Sequence, residues 1–206
     1  MREKPGSMPQ PNSAGSPDIP DSWRKWFEFN TKDDVQREAM LEAAVELGRG
    51  IRDDKKPKWL SLLGSSGAGK SHIASRLRLV ALERVARHNT RVKVFERGRE
   101  PFWASWYSWP KISAGFREGA YSVIDEICEE WFVVLDDIGA DHDPSGVGNR
   151  SLYRILDDRI GKWTVLTSNL SLESLAEINS RIPSRMHRNE SIIVNVDLPD
   201  WSTLKR

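Results

Sequence analysis

Trp59-Leu60-Ser61-Leu62-Leu63-Gly64-Ser65-Ser66-Gly67-Ala68-Gly69-Lys70-Ser71-His72 is the stretch on which the fold turns. Trp59 to Leu63 is a short apolar run suited to a buried strand, and it leads straight into Gly64 to Ser71, which fits G-x-x-x-x-G-K-[ST]. Glycines let the backbone turn tightly, so several N–H groups can converge on one anion. Ile73, Leu77, Val80, Ala81 and Val85 then predict a helix over Lys70 to His88, whose partly positive N-terminus faces the same anion. With glycine at about 7% of positions, chance produces the pattern in about one chain in a hundred of this length. Here a strand precedes it and a helix follows. The reading is a phosphate cradle for ATP, built from Gly64, Ser65, Ser66, Gly67, Ala68, Gly69, Lys70, Ser71 and His72. In it Lys70 would reach the β- and γ-phosphates and Ser71 would place its hydroxyl on Mg2+.

Further along, Trp131-Phe132-Val133-Val134-Leu135 is the near-continuous apolar run of a parallel strand buried on both faces, and it ends in Asp136-Asp137. A carboxylate at such a strand end, beside a phosphate loop, suits magnesium, so Asp136 joins Ser71 as a candidate metal ligand. Asp137, if it faces the γ-phosphate, could orient or deprotonate the attacking water; an Asp-Asp pair after a strand is otherwise a turn or helix cap. Trp163 to Thr167 predicts another strand, followed by Ser168-Asn169. Asn169 could hydrogen-bond the γ-phosphate or the water, although Ser-Asn also suits a plain turn. Arg181 and Arg185 lie four apart and share one face if that segment is helical. Both also fit ordinary surface cations.

The remaining elements alternate in type. A helix is predicted over Asp33 to Leu47 with Gly48 as its stop, and a strand over Arg91 to Glu96. Pro101 to Tyr121 is aromatic-rich and reads as loop plus helix. Helices follow over Ser122 to Glu130, Asn149 to Ile160 and Ser171 to Asn179, with a helical turn over Arg181 to His187 and a last strand over Ser191 to Val196. This is an α/β chain with a central, mainly parallel sheet.

With 206 residues, 38% hydrophobic and 30% charged, the chain can bury a sizeable core. No apolar run approaches the roughly 20 residues of a membrane span. Residues 1 to 20 are Pro/Gly/Ser-rich and read as a disordered leader without the apolar core of a signal peptide, so a cytoplasmic location is expected. Cys128, the single cysteine, reads as core packing. The net charge of +1 conceals segregation: Glu83 to Glu118 holds eight Lys/Arg against four Asp/Glu, and Gly119 to Ser145 holds eight Asp/Glu and no Lys/Arg. This suggests one face for polyanions and one for metal or basic partners, or two merely solvated surfaces. Trp103, Trp106, Tyr107 and Trp109 lie among Arg97, Arg99, Lys111 and Arg117. Exposed, such rings would stack the bases of single-stranded DNA; buried, they would fill the core.

GSSGAGKS (64–71), VVLDDIG (133–139), LYRILDDR (152–159), VLTSNL (165–170) and SRIPSRM (180–186) occur in one chain and in that order. In this the sequence resembles AAA+ ATPases of the DnaC and IstB type, bacterial helicase loaders and transposition helpers, over Trp23 to Trp201. The resemblance implies a three-layer P-loop NTPase domain over residues 21–206 without a C-terminal helical lid. It makes Asp136 and Asp137 the Walker B pair and Asn169 the sensor-1 residue. It makes Arg181 the arginine finger, acting on a neighbouring copy in a head-to-tail oligomer, and lets Arg185 face nucleotide or interface. It places the Phe27/Phe29 segment near the adenine, where these rings could equally be a plug on the sheet. The implied partners are a replicative helicase or a transposase, with single-stranded DNA. A module that uses ATP only as a structural ligand is the reading from another class.

Many AAA+ enzymes carry Glu where this chain has Asp137, and the shorter side chain displaces the catalytic group by about 1 Å, which can cost about 100-fold. Slow hydrolysis is therefore expected: single-turnover ATP decay should fall below about 10 per second, the median enzyme rate.

Overall fold

Strands that are apolar on both faces need cover on both sides, and that requirement organises the chain into three layers. The computed structural model describes residues 19–29, 34–91, 101–116, 118–141, 143, 145–188 and 190–198. In order these form α1 (Asp21–Phe27), α2 (Val35–Asp53), β1 (Trp59–Gly64), α3 (Lys70–Arg91), β2 (Ala104–Ser108), α4 (Trp109–Phe116), α5 (Ser122–Glu129), β3 (Phe132–Asp136), α6 (Val147–Asp158), β4 (Trp163–Ser168), α7 (Leu172–Ile178), α8 (Arg181–Met186) and β5 (Ile192–Val196). The five strands make one sheet in the order β2-β3-β4-β1-β5, and every pairing is parallel.

Alternate residues of each strand feed two cores. Leu60, Leu62, Val134 and Val165 pack with Trp23 and Phe27 of α1, Leu47 of α2 and Leu77 of α3. Trp59, Leu63, Val133, Leu135 and Leu166 face the other way and pack with Trp109 of α4, Ile127 of α5, Ile155 of α6 and Met186 of α8. The α/β three-layer architecture is the one the sequence predicts.

Two expectations change, and a third lies mostly outside the described residues. Gly48 does not stop α2, which continues to Asp53 and ends where Asp54 adopts a left-handed conformation. Gly48 serves close packing instead: a Cβ there would stand 2.9 Å from the Trp23 ring, so the missing side chain lets α1 lie on α2. The aromatic stretch after Pro101 contains a strand, β2, before its helix; among the described residues it has one neighbour, β3, and it is only partly buried and lacks the apolar signature of the inner strands. Arg91 closes α3, while the rest of the strand expected over Arg91 to Glu96 lies outside the described residues, as do residues 1–18 of the expected leader and residues 199–206.

The pairing registers bring the strand ends to one edge. Leu63 stands beside Ser168, Gly64 beside Val196, and Ser108 beside Asp136. The C-terminal ends of β1, β3 and β4 therefore meet where a parallel sheet of this kind takes its ligands.

At the opposite edge a buried cation joins three elements. Arg159 follows α6 and is 0% exposed. Its guanidinium donates to Thr164 Oγ1 (2.9 Å), Ile127 O (2.7 Å), Glu130 O (3.0 Å) and Trp163 O (2.6 Å). Ile127 and Glu130 lie at the C-terminal end of α5, whose unpaired carbonyls carry partial negative charge. Burial pulls the guanidinium down to about 10. The fork thus ties the ends of α5 and α6 to the start of β4. Arg159→Met should lower unfolding stability by about 3 kcal/mol or more, since each buried acceptor left without a donor costs about 1–3 kcal/mol. Urea denaturation measures this, and Arg159→Lys should recover only part of the loss, because three donors on one atom cannot reproduce the planar fork.

Candidate functional site

The loop after β1 is pinned before it reaches any ligand. Gly64 has φ +113°, and a Cβ there would stand 1.9 Å from Val196 O, so only glycine permits this approach of β1 to β5. Ser65 N donates to Val196 O at 2.9 Å, and Ser65 Oγ accepts from Leu198 N at 2.8 Å. The loop's other side carries the chain's N-terminal segment. A Cβ on Gly69 would lie 2.6 Å from the Phe29 ring. His72 Nε2 donates to Phe27 O at 2.7 Å, and its ring stacks on Phe29 with centroids 6.2 Å apart. Arg76 pairs with Glu28 in the same place. Phe27 is buried in the α1–α3 core. Phe29 lies on the loop itself.

Lys70 is 4% exposed. Its ammonium donates to Gly64 O (2.8 Å), Ser65 O (2.6 Å) and Asn169 Oδ1 (2.9 Å). Asn169 Nδ2 donates in turn to Asp137 Oδ1 at 3.3 Å. Burial lowers the Lys70 ammonium from its ordinary value, against the pull of Asp137 and Asp136. Ser71 Oγ donates to Asp136 Oδ1 at 2.8 Å.

Thr167 completes the cluster. Its hydroxyl donates to Asp136 Oδ1 at 2.6 Å and accepts from Asp137 N at 2.9 Å. Asp137 has φ +60°, a left-handed conformation that costs a non-glycine residue free energy. Thr167 Oγ1 on its N–H, and Ile138 N on Thr167 O at 2.9 Å, hold that turn. Sequence reasoning missed Thr167. A hydroxyl two places before Asn169, at the end of an apolar strand, was the available signal.

The oxygen donors suit magnesium. Ser71 Oγ and Asp136 Oδ1 are hard ligands already side by side. Among the described residues there is no group of three or more His, Cys, Asp or Glu that could hold a metal.

Arg181 and Arg185 stand apart from this cluster. Arg185 Nε donates to Asp157 Oδ1 at 2.5 Å, and its guanidinium carbon lies 4.8 Å from the centre of the Tyr153 ring on α6. The Arg181 guanidinium is 5.3 Å from the same ring and is exposed. Neither side chain hydrogen-bonds a described residue of the loop or of the Asp136–Asp137 pair.

The aromatic stretch divides. Trp109 is 0% exposed and donates to Asp141 at 2.8 Å, so it is core. Trp106 packs against the α1–α3 core, and Tyr107 donates to Glu130 Oε1 at 2.7 Å. Trp103 alone of the four is largely exposed, at 57%. Lys111 is exposed, and Arg97, Arg99 and Arg117 lie outside the described residues.

A Gly-rich loop between a parallel strand and a helix, with a buried lysine and a carboxylate pair on the neighbouring strand ends, defines a P-loop NTPase fold. No family model matches the sequence, and no curated protein matches it. Solved structures do. DnaI is similar with a TM-score of 0.58 and 21% identity, covering 86% of this chain and 92% of that one. The DnaC helicase loader is similar with a TM-score of 0.57 and 17% identity, covering 84% and 99%. A replication initiator DnaA, bound to AMPPCP and single-stranded DNA, gives 0.57 and 16%, covering 84% of this chain and 50% of that one. The chain shares the three-layer α/β P-loop fold of these structures.

Asp137 yields a pH prediction. Burial raises its carboxyl, Asp136 raises it further, and Lys70 and the Asn169 bond oppose both. With the folded value above the unfolded one, 3.8, the folded state holds the proton more tightly, so stability falls as pH rises through that window. Asp137→Asn should therefore be more stable than wild type at neutral pH. The difference should shrink as pH drops toward 3.8, as read by urea midpoints across pH.

Proposed function

We propose that this chain binds ATP with Mg2+ and hydrolyses it slowly, as a switch that places a replicative helicase on DNA. The observation that carries the reading is the joined cluster Lys70–Asn169–Asp137 and Ser71–Asp136–Thr167 at the strand ends beneath the loop.

Backbone N–H groups of the loop and the α3 N-terminus would bind the phosphates. Lys70 would exchange loop carbonyls and Asn169 for β- and γ-phosphate oxygens, recovering full charge compensation for a buried ammonium. Ser71 and Asp136 would hold magnesium, which when bound neutralises the charge on the β- and γ-oxygens. Asp137, turned out of the strand by its left-handed backbone, would orient the attacking water and accept its proton. Asn169, released by Lys70, would fix that water or the γ-phosphate. Arg181 would complete the site of a neighbouring copy, with Tyr153 supporting its guanidinium from below. The similarity to the DnaC helicase loader and to DnaA bound to AMPPCP and single-stranded DNA supports nucleotide binding, a helicase partner and single-stranded DNA contact.

Filter binding of labelled ATP with magnesium tests the core of the proposal. Wild type should retain ATP, and Lys70→Ala should weaken retention by about 30-fold or more, the range for losing one partner of a buried charge pair. Retention of no nucleoside triphosphate by folded wild type sinks the reading. Arg181→Ala should lose most hydrolysis, since a finger is worth about 10³–10⁵ in rate, and mixing it with Lys70→Ala should restore part of it.

A further inference from the structure

At the sheet edge opposite the phosphate loop, the segments entering β2, β3 and β4 enclose a groove of about 830 Å³. Its walls are aromatic: Phe102 and Trp103 before β2, Trp131 before β3, and Trp163 opening β4. Phe102 and Trp131 stack with centroids 5.7 Å apart, and Trp131 leans on Trp163 at 5.9 Å, so the wall is rigid. Trp103, 57% exposed, stands free beside it.

The polar lining is acidic. The side-chain carboxylates of Glu126 and Glu129 are exposed and make no hydrogen bond or ion pair with any described residue. Glu130 spends one oxygen on Tyr107, while its Oε2 is buried without a hydrogen-bond partner. The two lysines in the groove are committed elsewhere: Lys162 donates to Cys128 O at 2.7 Å, and Lys58 pairs with Asp54 at 3.2 Å. Lys58 also places its ammonium 5.0 Å from the centre of the Trp163 ring, so this wall already binds a cation on one face.

Unspent carboxylates beside indole faces match a planar guanidinium, which stacks on a ring and pairs bidentately with a carboxylate. The volume exceeds one side chain and falls in the range of specific ligand pockets. Three glutamates oppose a phosphate backbone, so Trp103 is not set up to stack nucleic-acid bases. We propose that this groove docks an arginine-bearing peptide segment of a partner protein, with Trp103 as the anchor and Glu126 and Glu129 as the carboxylates that receive the guanidinium groups. The site is independent of the nucleotide reading, since it sits at the other end of the sheet.

Calorimetric titration of the full chain tests it, using an acetylated, amidated decapeptide with three arginines spaced by Gly and Ser. Its counterpart with citrulline at the same places keeps the shape and loses the charge. The arginine peptide should bind, and the citrulline peptide should bind at least about tenfold more weakly. Trp103→Ala and the double change Glu126→Gln, Glu129→Gln should each weaken the arginine peptide by about tenfold or more, while Lys70→Ala leaves it unchanged. These three positions are exposed, so the variants should keep the wild-type circular dichroism. No binding, equal binding of the citrulline peptide, or indifference to the variants overturns the proposal. So does Trp103-dependent binding of oligo-dT, which would make the groove a nucleic-acid site, or Trp103-dependent self-association without peptide binding, which would give it to a second copy.

Discussion

An ammonium buried as deeply as Lys70 must be compensated, because an unpaired charge in a protein interior costs several kcal/mol. Its acceptors come from two separate parts of the chain: Gly64 and Ser65 on the loop, and Asn169 beyond β4. They can converge only because β1 lies beside β4, and the loop carbonyls hold still only because Gly64 is pressed against Val196 of β5. One cation thereby couples the order of the sheet to the geometry of the loop. In the proposed function the same compensation lets phosphate oxygens take the place of these carbonyl and amide oxygens at little net electrostatic cost.

The carboxylate pair follows a matching logic. Asp136 ends its strand with hydroxyls from α3 and β4 on one oxygen. Asp137 leaves the strand through a strained left-handed turn, and the strain persists because Thr167 overdetermines it. Two adjacent acids thus acquire different surroundings: one is set in a polar oxygen cluster, and the other is desolvated and held toward Lys70 and Asn169. Adjacent identical residues on a strand end are ordinarily directed to opposite sides, and the turn at Asp137 is what allows both to serve one site.

Buried cations mark both edges of the sheet, and their partners differ. Lys70 is met by oxygens that a ligand can displace. Arg159 is met by main-chain carbonyls and Thr164, which are fixed parts of the fold. The acidic half of the charge segregation along the sequence does not map onto one face. The acidic run from Gly119 to Ser145 passes through the sheet as β3, leaving Glu126, Glu129 and Glu130 at one edge and Asp136 and Asp137 at the other. A linear charge count cannot separate these, because a strand of five residues carries the chain from one edge to the other without a change in composition.

From the sequence alone came the phosphate loop, the α/β layering and the identity of the candidate residues Lys70, Ser71, Asp136, Asp137 and Asn169. Each is tied to a local pattern: glycine spacing, an apolar run ended by acid, an apolar run ended by amide. Only the tertiary structure revealed Thr167 as the bridge between the two acids, Gly48 as a packing site rather than a helix stop, Trp109 as core, and Trp103 as part of an acidic groove. The physical reason is range. Backbone conformation and burial period are written in neighbouring residues, whereas a hydrogen bond spanning 31 positions, or the surroundings of an indole, depends on which strands lie side by side.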